Sequence, residues 1–297
     1  MTSKNNFKAN PVQLLVIGDF GRKATFDFCN HFVENERKII EDSLDGNDFY
    51  DEYRRSLVTV YSWLAEIKKE QINKYRKASI PLDEKVLIGF PGGMPMADAI
   101  DWFSYLVLKF LDNLDIQTNV IALPCNTLSP ALLEVKNKMG NSGYLNRLKL
   151  KFNMEFMDDQ WLAKLKNRNI EFIPVAEAVI RYLNKEESAN ILALGTGGIS
   201  KVYKEAIQKS NAGFNLIEPD KDLQNLVFKT ITASIKNSAY EVTEYTDILT
   251  KKISQIRSQL NDSLIVLEAC TDLNLGIGES TLSIYARYLA EYVYKIE

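Results

Sequence analysis

Short apolar runs that end in glycine, proline or a polar residue recur along the chain, separated by longer segments of mixed polarity. The runs are VQLLVIG (12–18), KVLIGFPGG (85–93), NVIALP (119–124), EFIP (171–174), NILALGTGG (190–198), FNLIEP (214–219) and SLIVLEACTD (263–272). Apolar runs of this length bounded by turn residues predict buried strands. We therefore predict one strand in each run.

Between these runs, apolar residues recur at steps of three and four, which is the spacing of an amphipathic helix. Helices are predicted at 23–40, 56–77, 97–114, 129–139, 175–185 and 199–210, then through a long region that ends near 260, and at 280–296. In the helix at 129–139, Ser129 is the expected N-cap and Pro130 the first helical residue. Strands that alternate with helices predict an α/β architecture built on parallel sheets.

The two halves of the chain weakly repeat one arrangement. NVIALPCNT and SLIVLEACTD each end an apolar run in a cysteine, and each follows an earlier run that ends in glycine, at Gly18 and Gly195. The interval from glycine to cysteine is 107 residues in the first half and 75 in the second, and the excess matches an added segment at 45–80. Such an echo predicts two pseudo-symmetric, doubly wound lobes with mainly parallel sheets.

Two lobes and a C-terminal helix are predicted along the chain. A first lobe is expected at 12–175, with helical insertions near 45–80 and 140–170. A second lobe is expected at 176–278, followed by a C-terminal helix at 279–297 that packs back on the first lobe. In parallel sheets, ligands bind beyond the carboxyl ends of the strands. An active site is therefore expected in the cleft between the two lobes.

Composition narrows the class of protein. The formal net charge of −3 argues against a sequence-independent nucleic-acid binder, which needs a basic excess. No apolar run approaches the roughly 20 residues of a membrane helix, and the polar start MTSKNNFKANP has no apolar signal-peptide core. We therefore expect a cytoplasmic protein without nucleic-acid or membrane partners. Three widely separated cysteines suit reduced thiols better than a disulfide framework.

Cys125 and Cys270 each stand where a predicted strand passes to a helix. The pKa of a thiol falls near a helix N-terminus, so thiols in such places exchange protons readily at neutral pH. If the lobes face each other, the two cysteines could oppose one another across the cleft. One thiolate could then remove a proton from a carbon while the other thiol returns a proton to the opposite face. Two thiols so placed would invert a stereocentre without a cofactor.

Other roles for the cysteines remain open at this point. A single cysteine at a strand end is more often a small buried apolar residue than a catalyst. Cys29 lies on an apolar helix face and is assigned to the core. No metal site is predicted, because no Cys-x-x-Cys occurs and His31 is the only histidine. The same scarcity of histidine disfavours a serine or cysteine hydrolase.

Three motifs together resemble the aspartate/glutamate racemase superfamily, whose members work without pyridoxal phosphate. LPCNTLSP and LEACTDL resemble its paired cysteine motifs, and LALGTGGISKVYKEAI resembles its Thr/Gly turn, followed here by Ser200 and Tyr203. VIGDFGRKATFDF resembles its N-terminal strand and glycine turn, so the resemblance runs from about residue 12 to 275. It implies that Cys125 and Cys270 are the two acid/base residues and that no cofactor or metal is used.

The resemblance also implies roles for neighbouring residues. The implied substrate contacts are Asn126, Thr127, Thr196, Gly197 and Thr271. Residues that could support these contacts from behind are Asp19, Ser129 and Asp272. The aspartate-type enzymes usually carry glutamate at the place of Asp272, and the histidine that glutamate-type enzymes carry there is missing, so aspartate is favoured over glutamate.

The expected activity is therefore racemisation of an acidic amino acid, most simply aspartate, by a homodimer. Two alternatives stay open. The chain could isomerise or decarboxylate another small dicarboxylic acid, or it could bind such a ligand without turning it over. The second alternative is motivated by two departures from the family pattern. No arginine matches the one that the family places after its second strand, and the N-terminal glycine turn, GDFGRKAT, is shorter than the family's.

Overall fold

A computed structural model of the chain describes most residues between 13 and 293. The described ranges are 13–18, 24–43, 57–62, 85–86, 94–112, 118–126, 128–166, 169–183, 189–196, 198–260, 263–270, 273 and 275–293. The strands are β1 (Gln13–Gly18), β2 (Leu57–Ser62), β3 (Lys85–Val86), β4 (Met94–Pro95), β5 (Thr118–Ala122), β6 (Asn169–Phe172), β7 (Asn190–Leu194), β8 (Asn215–Leu216), β9 (Leu264–Glu268) and β10 (Glu279–Ser280). The helices are α1 (Ala24–Ser43), α2 (Met96–Asp112), α3 (Ala131–Met139), α4 (Ser142–Phe152), α5 (Asp159–Lys166), α6 (Val175–Leu183), α7 (Ile199–Ser210), α8 (Lys221–Ile235), α9 (Ala239–Gln259) and α10 (Thr281–Val293).

Two four-stranded sheets carry the same topology. The first has the order β2-β1-β5-β6 and the second the order β8-β7-β9-β10, and every neighbouring pair in both is parallel. In each sheet, the first strand along the chain lies in the middle and the second lies at one edge. The third and fourth strands of the sheet lie on the other side of the first. The predicted fold class, an α/β architecture of two lobes with mainly parallel sheets, is confirmed.

Successive residues of a strand point to opposite faces of its sheet, and both faces are buried. One face of β1 and β5 meets the helices of the first lobe in an outer core that includes Leu15, Ile17 and Ile121. The opposite face, with Leu14 and Val16, enters a central core that also receives residues from the second sheet. Such strands are apolar along their whole length because both faces of a parallel sheet are covered.

The central core joins the two lobes through helices that pack reciprocally. Helix α6 follows the last strand of the first sheet and packs against α7 of the second lobe, while α10 follows the last strand of the second sheet and packs against α1. Helices α6 and α10 also contact each other, with Tyr285 of α10 donating a hydrogen bond to the Ile173 carbonyl at 2.6 Å.

No helix among the described residues combines the length and apolarity needed to cross a membrane.

One prediction in the first lobe, a helix, is wrong, and a second, a strand, is borne out in the two residues that the structure describes. The helix predicted at 56–77 begins instead with the strand β2, which pairs in parallel with β1, and residues 63–77 lie outside the described residues. The strand predicted at 85–93 is limited, where it is described, to β3, which pairs antiparallel with β4 and does not join the main sheet. The run LVTVYS contains β-branched and aromatic residues, which favour a strand. The helix was predicted there because apolar residues recur at helical spacing over 56–77 as a whole.

Helix α4, in the segment predicted as a helical insertion near 140–170, is held against α2 by a buried carboxylate. Asp101 is 3% exposed and accepts two hydrogen bonds from the Arg147 guanidinium at 2.6 and 2.8 Å. Lys151 donates to the same carboxylate at 2.7 Å and Tyr144 at 3.1 Å. Burial by itself would raise the pKa of Asp101, but the hydrogen bonds from Arg147 and Lys151 outweigh it, so the pKa lies below its usual value.

Replacing Asp101 by asparagine is expected to lower the free energy of unfolding at neutral pH by about 2 kcal/mol, since two cations lose their charged partner but retain access to solvent. Because the pKa of Asp101 is depressed, its contribution is present above about pH 3.9, the unfolded value, and is lost as the pH falls through the folded pKa. Urea unfolding of both proteins over this pH range measures the difference. Asp159→Asn, at an exposed position, is the control, and equal losses in the two variants would contradict the prediction.

Candidate active site

Cys125 lies three residues beyond β5, at the carboxyl end of the first sheet. It is 9% exposed and packs in the outer core of the first lobe. Its N–H donates to the Leu123 carbonyl at 2.7 Å, and its carbonyl accepts from Ser129 N–H at 2.8 Å. This turn leads into α3, whose first residue follows six positions after the cysteine. The thiol forms no disulfide.

Cys270 lies two residues beyond β9, at the carboxyl end of the second sheet. It is partly buried against a further apolar cluster, the outer core of the second lobe, which includes Leu192, Leu194 and Val266. It also forms no disulfide. The N–H of Ala269 donates to the Leu194 carbonyl at 2.7 Å, which prolongs the pairing of β9 with β7 up to the cysteine. Strands β5 and β9 occupy equivalent places in the two sheets, so the two cysteines end equivalent strands.

The two cysteines differ in the element that comes after each of them. Helix α3 begins six residues after Cys125, whereas β10 lies between Cys270 and α10, which begins at Thr281, close to the start predicted for the C-terminal helix. Helix α10 nevertheless starts beside the end of β9, since the hydroxyl of its first residue, Thr281, donates to the Glu268 carbonyl at 3.0 Å. The N-terminus of α10 therefore lies close to the strand end that carries Cys270.

A buried chain of hydrogen bonds connects the two cysteine segments. Asn126, which is 2% exposed, donates from its amide nitrogen to Thr281 Oγ1 at 2.9 Å. Its amide oxygen accepts from the Tyr203 hydroxyl at 2.8 Å. Burial raises the pKa of Tyr203 far above its usual value, so this hydroxyl stays protonated and donates. The residue after Cys125 is thus joined through Thr281 to Glu268, two residues before Cys270.

The Thr/Gly turn after β7 lies against the second cysteine segment. A side chain at Gly195 would come within 2.9 Å of the Ala269 carbonyl oxygen, so the close approach of the two segments requires glycine there. The Gly195 carbonyl accepts from Gln224 of α8 at 2.9 Å, and Thr196, half-buried, accepts at its carbonyl from Ile199 N–H at 3.2 Å. The turn is therefore fixed from both sides, next to Cys270.

Ser129 does not cap α3 as predicted. The cap position is taken by Pro130 without a side-chain hydrogen bond, and the Ser129 hydroxyl accepts instead from Val175 N–H at 3.1 Å. Val175 is the first residue of α6, so the fully buried serine joins the Cys125 turn to the helix that packs between the lobes. The remaining predicted site residues lie outside the described residues: Asp19, Thr127, Gly197, Thr271 and Asp272.

Glu268 is a site-adjacent residue that the sequence reasoning missed. It is 3% exposed, and its carboxylate accepts hydrogen bonds from the backbone N–H groups of Leu275, Ile277 and Gly278 at 3.0, 2.9 and 3.2 Å. These groups belong to the loop that follows Cys270. A charged residue at the last position of the apolar run LIVLE was the available signal, because buried carboxylates need hydrogen-bond partners.

The third cysteine, Cys29, does not follow a strand as the other two do. Cys29 lies on α1 and packs against the central core, and burial raises the pKa of its thiol. Within the described ranges, no three histidine, cysteine, aspartate or glutamate side chains cluster in a way that could hold a metal ion.

Similar proteins are found by comparing structures and not by comparing sequences. No protein-family model and no curated protein matches it by sequence. An aspartate racemase homologue from Pyrococcus horikoshii OT3 has a similar structure, with a TM-score of 0.52 and 16% identity over 95% of this chain and 98% of that chain. A protein from Yersinia pestis, provisionally assigned as an Asp/Glu racemase, has a TM-score of 0.54 and 14% identity over 95% and 98% of the two chains. The chain therefore shares the fold of these two proteins along nearly its whole length.

Proposed function

We propose that the chain racemises an acidic amino acid, aspartate in preference to glutamate, with Cys125 and Cys270 as the two acid/base residues and without a cofactor. The observation that carries the proposal is the pairing of the two cysteine segments. They end equivalent strands of two equivalent sheets, and a buried chain of hydrogen bonds through Asn126 and Thr281 joins them. The fold shared with the racemase homologue and the Yersinia protein supports the same reaction.

In the proposed reaction, one cysteine acts as a thiolate and takes the proton from the α-carbon. The electron pair of the broken C–H bond passes into the adjacent carboxylate, which becomes enolate-like. The other cysteine, as a thiol, then gives its proton to the opposite face of the same carbon. The product is the opposite enantiomer, and the two cysteines have exchanged protonation states.

The enolate-like intermediate needs donors for its additional negative charge. Helix N-termini supply N–H groups and a partial positive charge. The N-terminus of α10 lies beside the end of β9, and the turn that begins α7 lies against Ala269. We propose that Thr196 and Gly197 of this turn, together with Thr127 and Thr271, hold the substrate carboxylates. The proposed support from Asp19 and Asp272 stays a prediction.

For Asn126, the surroundings favour positioning over substrate contact. Its amide oxygen and nitrogen are both engaged by protein groups, and the residue is almost completely buried. We propose that it sets the direction of the Cys125 segment relative to the second lobe. Ser129, through its bond to Val175 N–H, would support the same segment from the opposite side.

Proton exchange at the α-carbon tests the function directly. The protein is incubated with each enantiomer of aspartate and of glutamate in deuterated water, and the α-proton signal is followed by NMR. Loss of this signal together with the appearance of the opposite enantiomer is expected, with aspartate the faster substrate. Absence of exchange with all four compounds would contradict the proposal. Stabilisation against heat by a dicarboxylate, without exchange, would favour a binding protein.

A further inference from the structure

The loop after Cys270 is organised around one buried carboxylate. Glu268 ends β9, and its carboxylate lies inside the turn formed by residues 275–278. Oε2 accepts from Leu275 N–H, and Oε1 accepts from both Ile277 and Gly278. Among the described residues, these backbone groups are the hydrogen-bond partners of the carboxylate. A buried carboxylate depends on such donors for its stability.

Two glycines constrain the described part of this loop, residues 275–278. Gly276 has a φ of +69°, a conformation that favours glycine. At Gly278, an added side chain would lie 2.5 Å from the Val266 carbonyl oxygen, so the loop passes directly over β9. Leu273 N–H donates to the Cys270 carbonyl at 3.0 Å and closes the beginning of the loop on the cysteine itself. The carboxylate, the loop and the cysteine therefore form one connected unit.

Glu268 and Cys270 also belong to the same side of the strand. Leu264 and Val266 point into the outer core of the second lobe, and Cys270 packs against that core. Side chains two positions apart along a strand point to the same face. The carboxylate is thus placed on the side of the sheet to which the cysteine belongs, with its backbone carbonyl bonded to Thr281.

We propose that Glu268 is a positioning residue that, by holding the loop at 275–278, fixes the direction and the accessibility of the Cys270 thiol. The inference rests on the proposed function for its catalytic consequence, but the placement of the thiol can be measured without any activity. The negative charge is needed because one carboxylate accepts from three N–H donors. Glutamine at this place would turn an N–H₂ group toward at least one of these donors.

The test compares Glu268→Gln with the wild-type protein in two measurements. Site-resolved alkylation by iodoacetamide, followed by mass spectrometry, gives the rates at Cys270 and at Cys29. Hydrogen exchange of the peptide that contains residues 275–278 reports on the backbone bonds. We expect exchange in this peptide to rise by about tenfold or more, since a charge-assisted hydrogen bond is lost, and alkylation of Cys270 to rise several-fold with Cys29 unchanged.

Two further variants make the result decisive. Glu177→Gln removes a carboxylate of α6 that pairs with Lys209 at 3.1 Å, and it should leave both measurements at their wild-type values. Glu268→Asp keeps the charge with a shorter side chain and should give exchange between those of the wild type and the glutamine variant. It also replaces the glutamine variant if that protein does not fold.

The possible results separate the two proposals. Unchanged exchange at 275–278 and unchanged Cys270 alkylation in folded Glu268→Gln or Glu268→Asp would overturn the positioning role. A rise at Cys270 and Cys29 alike would also overturn it, because it would show a general loosening of the protein. If wild-type protein exchanges no α-proton, the proposed function fails, while the effect of Glu268 on the loop and on the thiol remains measurable.

Discussion

Replacing either Cys125 or Cys270 by alanine is expected to lower the rate of inversion of the acidic amino acid by about 10³-fold or more. Loss of a positioned acid or base typically costs about 10²- to 10⁴-fold. In the proposed mechanism, each variant lacks one of the two groups that act on opposite faces of the α-carbon, so a proton can be taken or given on one face only. Polarimetry or chiral chromatography with both enantiomers of aspartate measures the rate.

Isotope exchange distinguishes a lost acid/base group from a damaged site. The thiol that remains in each variant can still take the α-proton of one enantiomer and return a deuteron to the same face. Cys125→Ala and Cys270→Ala are therefore expected to retain exchange without inversion for opposite enantiomers. The double variant should show neither exchange nor inversion.

Cys29→Ala is the matched control, because it removes the third thiol, which lies on α1, packs against the central core and has no role in the proposed mechanism. Its inversion rate should equal that of the wild type. Wild-type inversion in Cys125→Ala or in Cys270→Ala would exclude the two-thiol mechanism. Equal loss of exchange for both enantiomers in one single variant would exclude the assignment of one face to each cysteine.

Much of the fold could be predicted from the sequence, because buried parallel strands and amphipathic helices each have a characteristic spacing of apolar residues. Strands β1, β7 and β9 lie within predicted apolar runs, and β5 begins one residue before its run. The weak repeat of glycine and cysteine agrees with the matching order of the two sheets. Strand β2 was missed because six residues of strand character precede a longer stretch with helical spacing. Local patterns of this kind compete, and tertiary pairing with β1 decides between them.

The site could be predicted less completely, since its connections join residues far apart in sequence. The hydrogen bonds of Asn126 span 155 residues to Thr281 and 77 residues to Tyr203. No local sequence pattern indicates such pairs. The sequence also does not distinguish a buried, structural asparagine from one that binds a substrate. Glu268 gave a clearer signal, because a carboxylate in an apolar run requires donors, but the sequence does not say which loop supplies them.

Replacing Asn126 by alanine is expected to lower the free energy of unfolding by about 2–4 kcal/mol and to slow inversion strongly. The substitution leaves the buried Tyr203 hydroxyl without its acceptor and removes the donor to Thr281. Each buried polar group that loses its partner costs about 1–3 kcal/mol. Denaturant unfolding gives the first quantity, and the rate of inversion at saturating aspartate gives the second.

Asn190→Ala is a matched control, because this amide is also engaged at both ends. It donates to the Ser263 carbonyl and accepts from Asn215, each at 2.9 Å, but it is more exposed and lies at the amino end of β7. A loss well under 1 kcal/mol is expected there, since water replaces its partners. The inversion rate of this variant should not change.

Tyr203→Phe separates the stability of the network from its effect on the cysteines. If Asn126 orients the Cys125 segment, removing the hydroxyl that holds its amide oxygen should lower the inversion rate as well as stability. The double variant should then cost less than the sum of the two single variants, with a coupling energy of about 0.5–3 kcal/mol. Additive losses in stability would contradict the coupling of the two residues. A KM that rises in Asn126→Ala while kcat is unchanged would instead indicate that Asn126 contacts the substrate, because uniform binding is then what has been lost.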